Sequence, residues 1–241
     1  MRRLPHVIRR DGYVLLLLIA SVIIGAVLYP ELPARMAVHW NTAGRPDAYA
    51  SRMLGICVEP LVGVTLYILL CVLPLIDPRV DSHRRFAGSL QTIKVLQAAM
   101  CLVLQVCAAL AAMGRDVNIG MVCGLNIAVM FIVLGNVMGR FRPNYVMGIR
   151  TPWTLADPAV WRRTHRFAGP VWVLAGMAML PLSAFSGRFL FASLLACTAV
   201  AAIVPTVYSY RVFRRIRVTG SAGRPRGRRM GFPADDGKGE S

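Results

Sequence analysis

Few side chains in this sequence combine the type and spacing that chemistry requires. His39 and Asp47 are the nearest pair with metal-ligand character, but two ligands without a third do not make a metal site. The plainer reading puts His39 and Trp40 at a membrane–water interface, with Arg45 and Asp47 arranging a turn. Trp161 and His165 stand at i and i+4 and share a helix face, with Arg162 and Arg166 on the neighbouring one. Arg150, close to Trp153, has the makings of a cation–π contact or an anion site in a dry pocket. No nucleophile adjoins a base and no metal triad is legible, so no catalytic, cofactor or metal residues are expected and an enzyme is disfavoured. Cys57, Cys71, Cys101, Cys107, Cys123 and Cys197 all lie in apolar stretches without a CxxC pair, which reads as small buried residues.

The elements that must position these groups belong to a membrane. Of 241 residues, 56% are hydrophobic and 16% charged, a balance unsuited to a soluble domain. Crossing about 30 Å of hydrocarbon takes around 20 apolar residues in a helix that satisfies its own backbone. Six stretches qualify: Tyr13–Leu28, Leu54–Ile76, Val95–Met113, Ile119–Met138, Phe167–Phe185 and Phe189–Tyr210. Of the 28 basic residues, 23 fall in the N-terminus, the second and fourth loops and the C-terminal tail, and five in the other loops. Lysine and arginine collect on the cytoplasmic side, so the parity predicts six spans with both ends inside. The first span lacks an A-x-A type site after it and is expected to remain as a helix rather than a cleaved signal.

The fold class is therefore all-α and polytopic, with a small extracytoplasmic loop cap and a cytoplasmic interfacial helix. Residues 1–12 form a basic cytoplasmic N-terminus, 13–113 a first membrane half with its outer loop at 29–53, and 114–210 a second half with an inner loop at 135–170. Residues 211–241 form a basic tail, expected to bind anionic lipid through Arg211, Arg214, Arg215 and Arg217 and to be disordered beyond Thr219. The net charge of +17 is thus assigned to the membrane surface, and no nucleic acid partner is expected.

In the outer loop, Met36–Trp40 alternates like a short strand and Asn41–Asp47 has the composition of a turn. In the inner loop, Asp157 and Pro158 mark a helix start, and the helix should run to about Phe167 along the inner leaflet. Ahead of it lies an irregular half dense in Asn136, Pro143, Asn144, Gly148, Arg150, Thr151, Pro152 and Trp153, more than a connector needs. Two readings of Glu59 stand: an acid at membrane depth, or a helix-start residue if the second span begins at Pro60. Gln97 and Gln105 lie eight residues apart in the third span and are expected to bond between helices.

The string GNVMGRFRPNYVMGIRTPWTLADPAVWRRTH, with Asn136, Pro143-Asn144, Gly148, Arg150-Thr151-Pro152-Trp153, Trp161 and Thr164-His165, resembles the signature of the SdpI family of bacterial membrane immunity proteins. The outer loop, with Pro33, His39, Asn41, Gly44 and Asp47, is similar to an uncharacterised domain that often precedes that signature. The resemblance implies a multi-pass protein of the bacterial cytoplasmic membrane that protects against a secreted toxin or bacteriocin. It also implies, for some members, capture of a transcriptional repressor at the inner face. The competing reading is a small-molecule permease using Glu59 and Gln105, for which the sequence shows no paired intramembrane charge and no internal repeat.

Overall fold

The computed structural model describes residues 4–78 and 87–222, with side chains from 11 to 78 and from 87 to 218. Helix α1 (Leu4–Leu28) leads through a single 3-10 turn, Tyr29–Glu31, to an antiparallel hairpin of β1 (Arg35–Trp40) and β2 (Pro46–Ser51). Then come α2 (Arg52–Ile76), α3 (Ala87–Ala112), α4 (Ile119–Met138), the short α5 (Pro152–Ala156), α6 (Pro158–Leu182) and α7 (Gly187–Ala222). Helices α1, α2 and α3 pack on one another, as do α4, α6 and α7, and α3 against α4 joins the two sets. The expected all-α polytopic class is borne out, with the hairpin as its one sheet among the described residues.

Five described helical segments are long and apolar enough to cross a bilayer: Asp11–Glu31, Arg52–Ile76, Ala87–Ala112, Ile119–Met138 and Gly187–Val218. The sixth expected span lies within α6 and is masked there by Arg162, Arg163, His165 and Arg166 in its first turns. From Phe167 to Leu182 its sequence is uncharged and mostly apolar, and at about 1.5 Å per residue that stretch reaches about 24 Å, some way short of a hydrocarbon core of about 30 Å.

Two boundaries differ from expectation. The helix starting at Pro158 does not stop near Phe167 as a separate interfacial element but continues unbroken through Pro170 to Leu182. The reason is packing: the middle of α6 is held against α4 by small residues. A Cβ at Gly135 would stand 2.7 Å from the Gly169 carbonyl oxygen, and one at Gly176 2.7 Å from that of Ala128, so the backbones approach as closely as side chains permit. The last helix also passes Tyr210 and runs to Ala222, so the first part of the basic tail is helical and the helix extends past Thr219, beyond which disorder is expected. Arginine is a good helix former and suits a helix C-terminus. The loop arginines Arg79, Arg84 and Arg85, residues 1–3 and the tail beyond Ala222 lie outside the described residues.

Polar seams hold the first three helices. Gln105, 2% exposed, accepts from the Ser21 hydroxyl at 2.5 Å and donates to the carbonyls of Ser21 and Ile56 at 3.1 and 3.3 Å. The Ile56 carbonyl is the one Pro60, four residues on and lacking an N–H, leaves without its helical partner. Pro205 likewise frees the Ala201 carbonyl in α7, and the Trp172 indole of α6 donates to it at 3.0 Å. Gln97 donates to the Gly63 carbonyl at 3.3 Å, so both amides bond between helices as expected.

At the opposite end of this set, buried Asp11 accepts from Lys94 and from the Tyr67 hydroxyl, both at 3.1 Å, tying α1, α2 and α3 together. This ion pair corrects the expectation that the helices carry no paired charge. Lys94 reads as a loop residue in the sequence because α3 starts at Ala87, eight residues before the Val95 that hydrophobicity alone suggests.

Because the atoms facing Gly135 are backbone and cannot step aside, Gly135→Ala is expected to destabilise the protein by about 1–3 kcal/mol. Gly139→Ala, where nothing lies within 4 Å, should change little. Thermal unfolding of the two variants in detergent checks the contrast.

Candidate functional site

The inner loop between α4 and α6 is a self-satisfied knot. Asn144, fully buried, accepts from the Val146 and Met147 N–H groups at 2.8 and 2.6 Å and donates to the Arg142 carbonyl at 2.7 Å. Thr151 caps α5 in a reciprocal capping box with Thr154, whose buried hydroxyl also donates to the Ile149 carbonyl at 2.8 Å. Asp157 caps α6 through the Ala159 N–H at 2.6 Å, with Pro158 in the first turn, as the sequence indicates.

His165 is the centre of the knot. Its Nδ1 lies 2.9 Å from the Trp161 carbonyl and its Nε2 accepts from the Ile149 N–H at 2.9 Å, so the ring is neutral with its proton on Nδ1. Trp161 stacks on it with ring centroids 4.1 Å apart and donates through its indole to the Phe141 carbonyl at 2.9 Å. Gly148, at φ +102°, brings the loop so close that a Cβ there would collide with His165 Nε2. Burial pushes the His165 imidazole down to about 4, outweighing the hydrogen bond to the Trp161 carbonyl, which acts to raise it.

The structure sorts the expected residues of this loop. Asn144, Gly148, Thr151, Trp161 and His165 converge on the knot, joined by Thr154, which the sequence reading does not single out, and Pro143 is half-buried beside Asn144. Thr164 is fully buried one residue away, its hydroxyl without a hydrogen-bond partner among the described residues. Pro152 opens α5 from an exposed position, while Trp153 crosses to α7, donating to the Ser209 hydroxyl at 2.6 Å and meeting Tyr210 edge-on. Asn136 points outward and donates back to the Ile132 carbonyl at 2.9 Å, apart from the rest.

Two expectations for this loop are corrected. The Trp161–His165 face does not lie on the leaflet but is fully buried, because the loop folds over it; Arg162, Arg163 and Arg166 are the exposed side. Arg150 does not sit in a dry pocket: it is exposed and donates to the Tyr145 carbonyl at 2.6 Å, bracing the turn from outside. A second contributor, besides Thr154, escaped the sequence reading. Buried Asp77, at the end of α2, accepts from the Tyr145 N–H at 2.8 Å and so moors the loop to the first helix set. A lone acid closing an apolar span was its only signal.

The hairpin stands at the other end of the bundle. Met36, 1% exposed, wedges against Gly55 of α2 and joins Leu32, Ile56 and Ala109 in a small core. The strand and turn expected there are present: Asn41 accepts from the Ala43 and Arg45 N–H groups at 2.9 and 3.1 Å, and Gly44 supplies φ +76°. His39 Nδ1 and Asp47 Oδ1 are 2.5 Å apart across the strands, both exposed, and no third His, Cys, Asp or Glu joins them among the described residues. Pro33 is exposed where the chain enters β1.

Beneath the hairpin turn lies a cavity of about 390 Å³ between α2, α3, α4 and α7, with Glu59 in its wall. Of the two readings of Glu59, the helix-start one is set aside. Ser51 caps α2 and Pro60 is inside it, leaving Glu59 about 10 Å along the axis from the first residue.

Comparisons with known proteins divide the chain along the same lines. Residues 140–209, covering the loop, α5, α6 and much of α7, match the model of the SdpI/YfhL protein family. Residues 16–64, covering the second half of α1, the hairpin and the first half of α2, match a domain of unknown function, DUF1648. The chain is 29% identical to Immunity protein SdpI of Bacillus subtilis (strain 168) over 196 residues, which is 81% of this chain and 92% of that protein. No solved structure matches it. The two-part resemblance carried by the sequence motifs is thus borne out.

His165 precedes the apolar part of α6, and its depressed pKa fixes a pH dependence. The unfolded ring protonates near 6.5 and the folded one only near 4. Its contribution is therefore complete above about pH 6.5 and is lost as pH falls toward 4, to a total of about 3 kcal/mol. Hydrogen exchange of the Ile149 amide in detergent, corrected for the intrinsic rate, should show protection that declines across that window. Replacement by His165→Gln should flatten the decline.

Proposed function

We propose that the chain is a non-enzymatic immunity protein of the SdpI type, which protects a bacterial cell against a secreted toxic peptide or bacteriocin. The observation that carries this reading is the extent of the similarity: it runs through both the hairpin region and the inner-loop knot and takes in nearly all of the Bacillus protein. In this reading six spans cross the cytoplasmic membrane with both ends inside. The basic residues support that orientation, because it puts the hairpin outside and places the knot with Arg162, Arg163 and Arg166 inside. The outer hairpin meets the toxin and the inner knot offers a fixed surface to a cytoplasmic partner, for which a transcriptional repressor is the candidate. Arg211, Arg214 and Arg215, grouped on α7, hold anionic lipid of the inner leaflet.

A permease is the second reading, and one observation favours it: Asp11, Tyr67 and Lys94 form a buried polar cluster among three helices, the kind of pairing a transport path uses. Uptake of a solute by proteoliposomes in the absence of any toxin would support it over immunity.

Survival of a toxin-sensitive host decides the main reading. The wild-type chain should raise survival above the empty vector. His165→Ala leaves the Ile149 N–H buried without an acceptor, a loss of about 1–3 kcal/mol, and should reduce protection at an unchanged amount of protein in the membrane. Arg150→Ala removes one outer brace and should do less. Equal survival of vector and wild type refutes the immunity reading; equal survival of wild type and both variants removes the knot from it.

A further inference from the structure

The cavity under the hairpin has the makings of a binding site. Its walls are mostly apolar side chains of α3, α4 and α7, Leu104, Ile127, Leu190 and Phe191 among them, α2 contributes Glu59, and its rim is the hairpin stretch from His39 to Gly44. About 390 Å³ is within the range of small-ligand sites. The rim is held over the cavity from both sides. Met36 pins the hairpin to α2, and at its tip the Ala43 carbonyl lies 3.6 Å from where a Cβ on Gly187, the first residue of α7, would stand.

Glu59 is the acid in this wall. On the helices its polar neighbours are the Cys101 and Cys123 thiols, the polar hairpin residues lie at the rim, and no lysine or arginine pairs with it among the described residues. Asp11, the other acid inside the helices, shows the contrast: it is buried against Lys94. A carboxylate facing an apolar cavity lacks the counter-charge that offsets its desolvation, and the missing partner is one positive charge carried on an apolar body.

We propose that this cavity binds a basic side chain, lysine or arginine with apolar flanking residues, of a peptide arriving at the hairpin, with Glu59 as the counter-ion. The charge decides the side chain and the apolar walls decide its flanks. The size of the cavity admits only a few residues, so it takes an anchor of a longer peptide and not its whole length. That the peptide is the toxin rests on the immunity reading; that the cavity takes a cationic apolar segment does not.

The test uses the full chain in phosphatidylcholine nanodiscs, with empty nanodiscs as the blank. Acetylated and amidated Leu-Lys-Leu is titrated against its norleucine analogue, which has the same length without the charge, and Trp40 at the rim reports by fluorescence. The lysine peptide should bind about tenfold more tightly than the norleucine peptide. Glu59→Gln should erase that ratio while leaving norleucine binding and the thermal midpoint in place, and Leu104→Trp, which fills the cavity, should weaken both peptides. Equal binding of the two peptides to the wild type, no binding of either, or a ratio that survives Glu59→Gln overturns the proposal. So does loss of lysine-peptide binding on adding phosphatidylethanolamine to the nanodiscs, which assigns the cavity to a lipid amine. Toxin survival assays are separate: a chain that binds the peptide but does not protect refutes the immunity reading and leaves the cavity assignment standing.

Discussion

A backbone polar group in the hydrocarbon of a bilayer, or buried in protein, needs a partner that water will not supply, and the structure is arranged around the places where the helices fail to provide one. Pro60 and Pro205 each release a carbonyl in mid-helix, and each carbonyl is taken by a side chain from the next helix, Gln105 in one case and Trp172 in the other. The irregular chain between α4 and α6 poses the same problem at larger scale. Asn144, Thr154 and His165 answer it by bonding the loop's own N–H and carbonyl groups, with Asp77 taking one more from outside. Residues that look like a binding signature in the sequence are, for the most part, the internal scaffold of that loop.

The consequence is two ordered regions at opposite ends of one bundle. The knot is fixed to α4, α6 and α7 and moored to α2 by Asp77. The hairpin is fixed to α2 and α3 by Met36 and reaches α7 at its tip. Each region therefore touches both helix sets, and a shift of one set against the other would be felt at both ends. Coupling of that kind needs two arrangements of the helices with different affinities for a ligand.

Much of this was legible in the sequence where one physical rule acts alone. Hydrophobic length located the helices, and the Ile119–Met138 stretch coincides with α4 to the residue, with Asn118 capping its start in the structure. The strand, turn and Asp157 cap were legible for the same reason, as local chemistry. What depended on tertiary partners was not. The buried Asp11–Lys94 pair was hidden because Lys94 counts as a loop residue until its partner is known. Arg150 looked like a pocket residue and is an outer brace, since composition cannot say which side of a folded loop faces out. The continuity of α6 was missed because arginines in its first turns resemble an interfacial helix, whereas Gly135, Gly169 and Gly176 let it run on in close contact with α4.

The central claim is that the membrane lies between the hairpin and the knot. It is tested most directly by single cysteines placed at Thr42 in the hairpin turn and at Tyr145 in the knot, both exposed, in a chain whose native cysteines are replaced. Intact cells are treated with a membrane-impermeant maleimide. The account predicts labelling of Thr42→Cys in intact cells and of Tyr145→Cys only after permeabilisation. Labelling of both before permeabilisation, or of Tyr145→Cys alone, would contradict it.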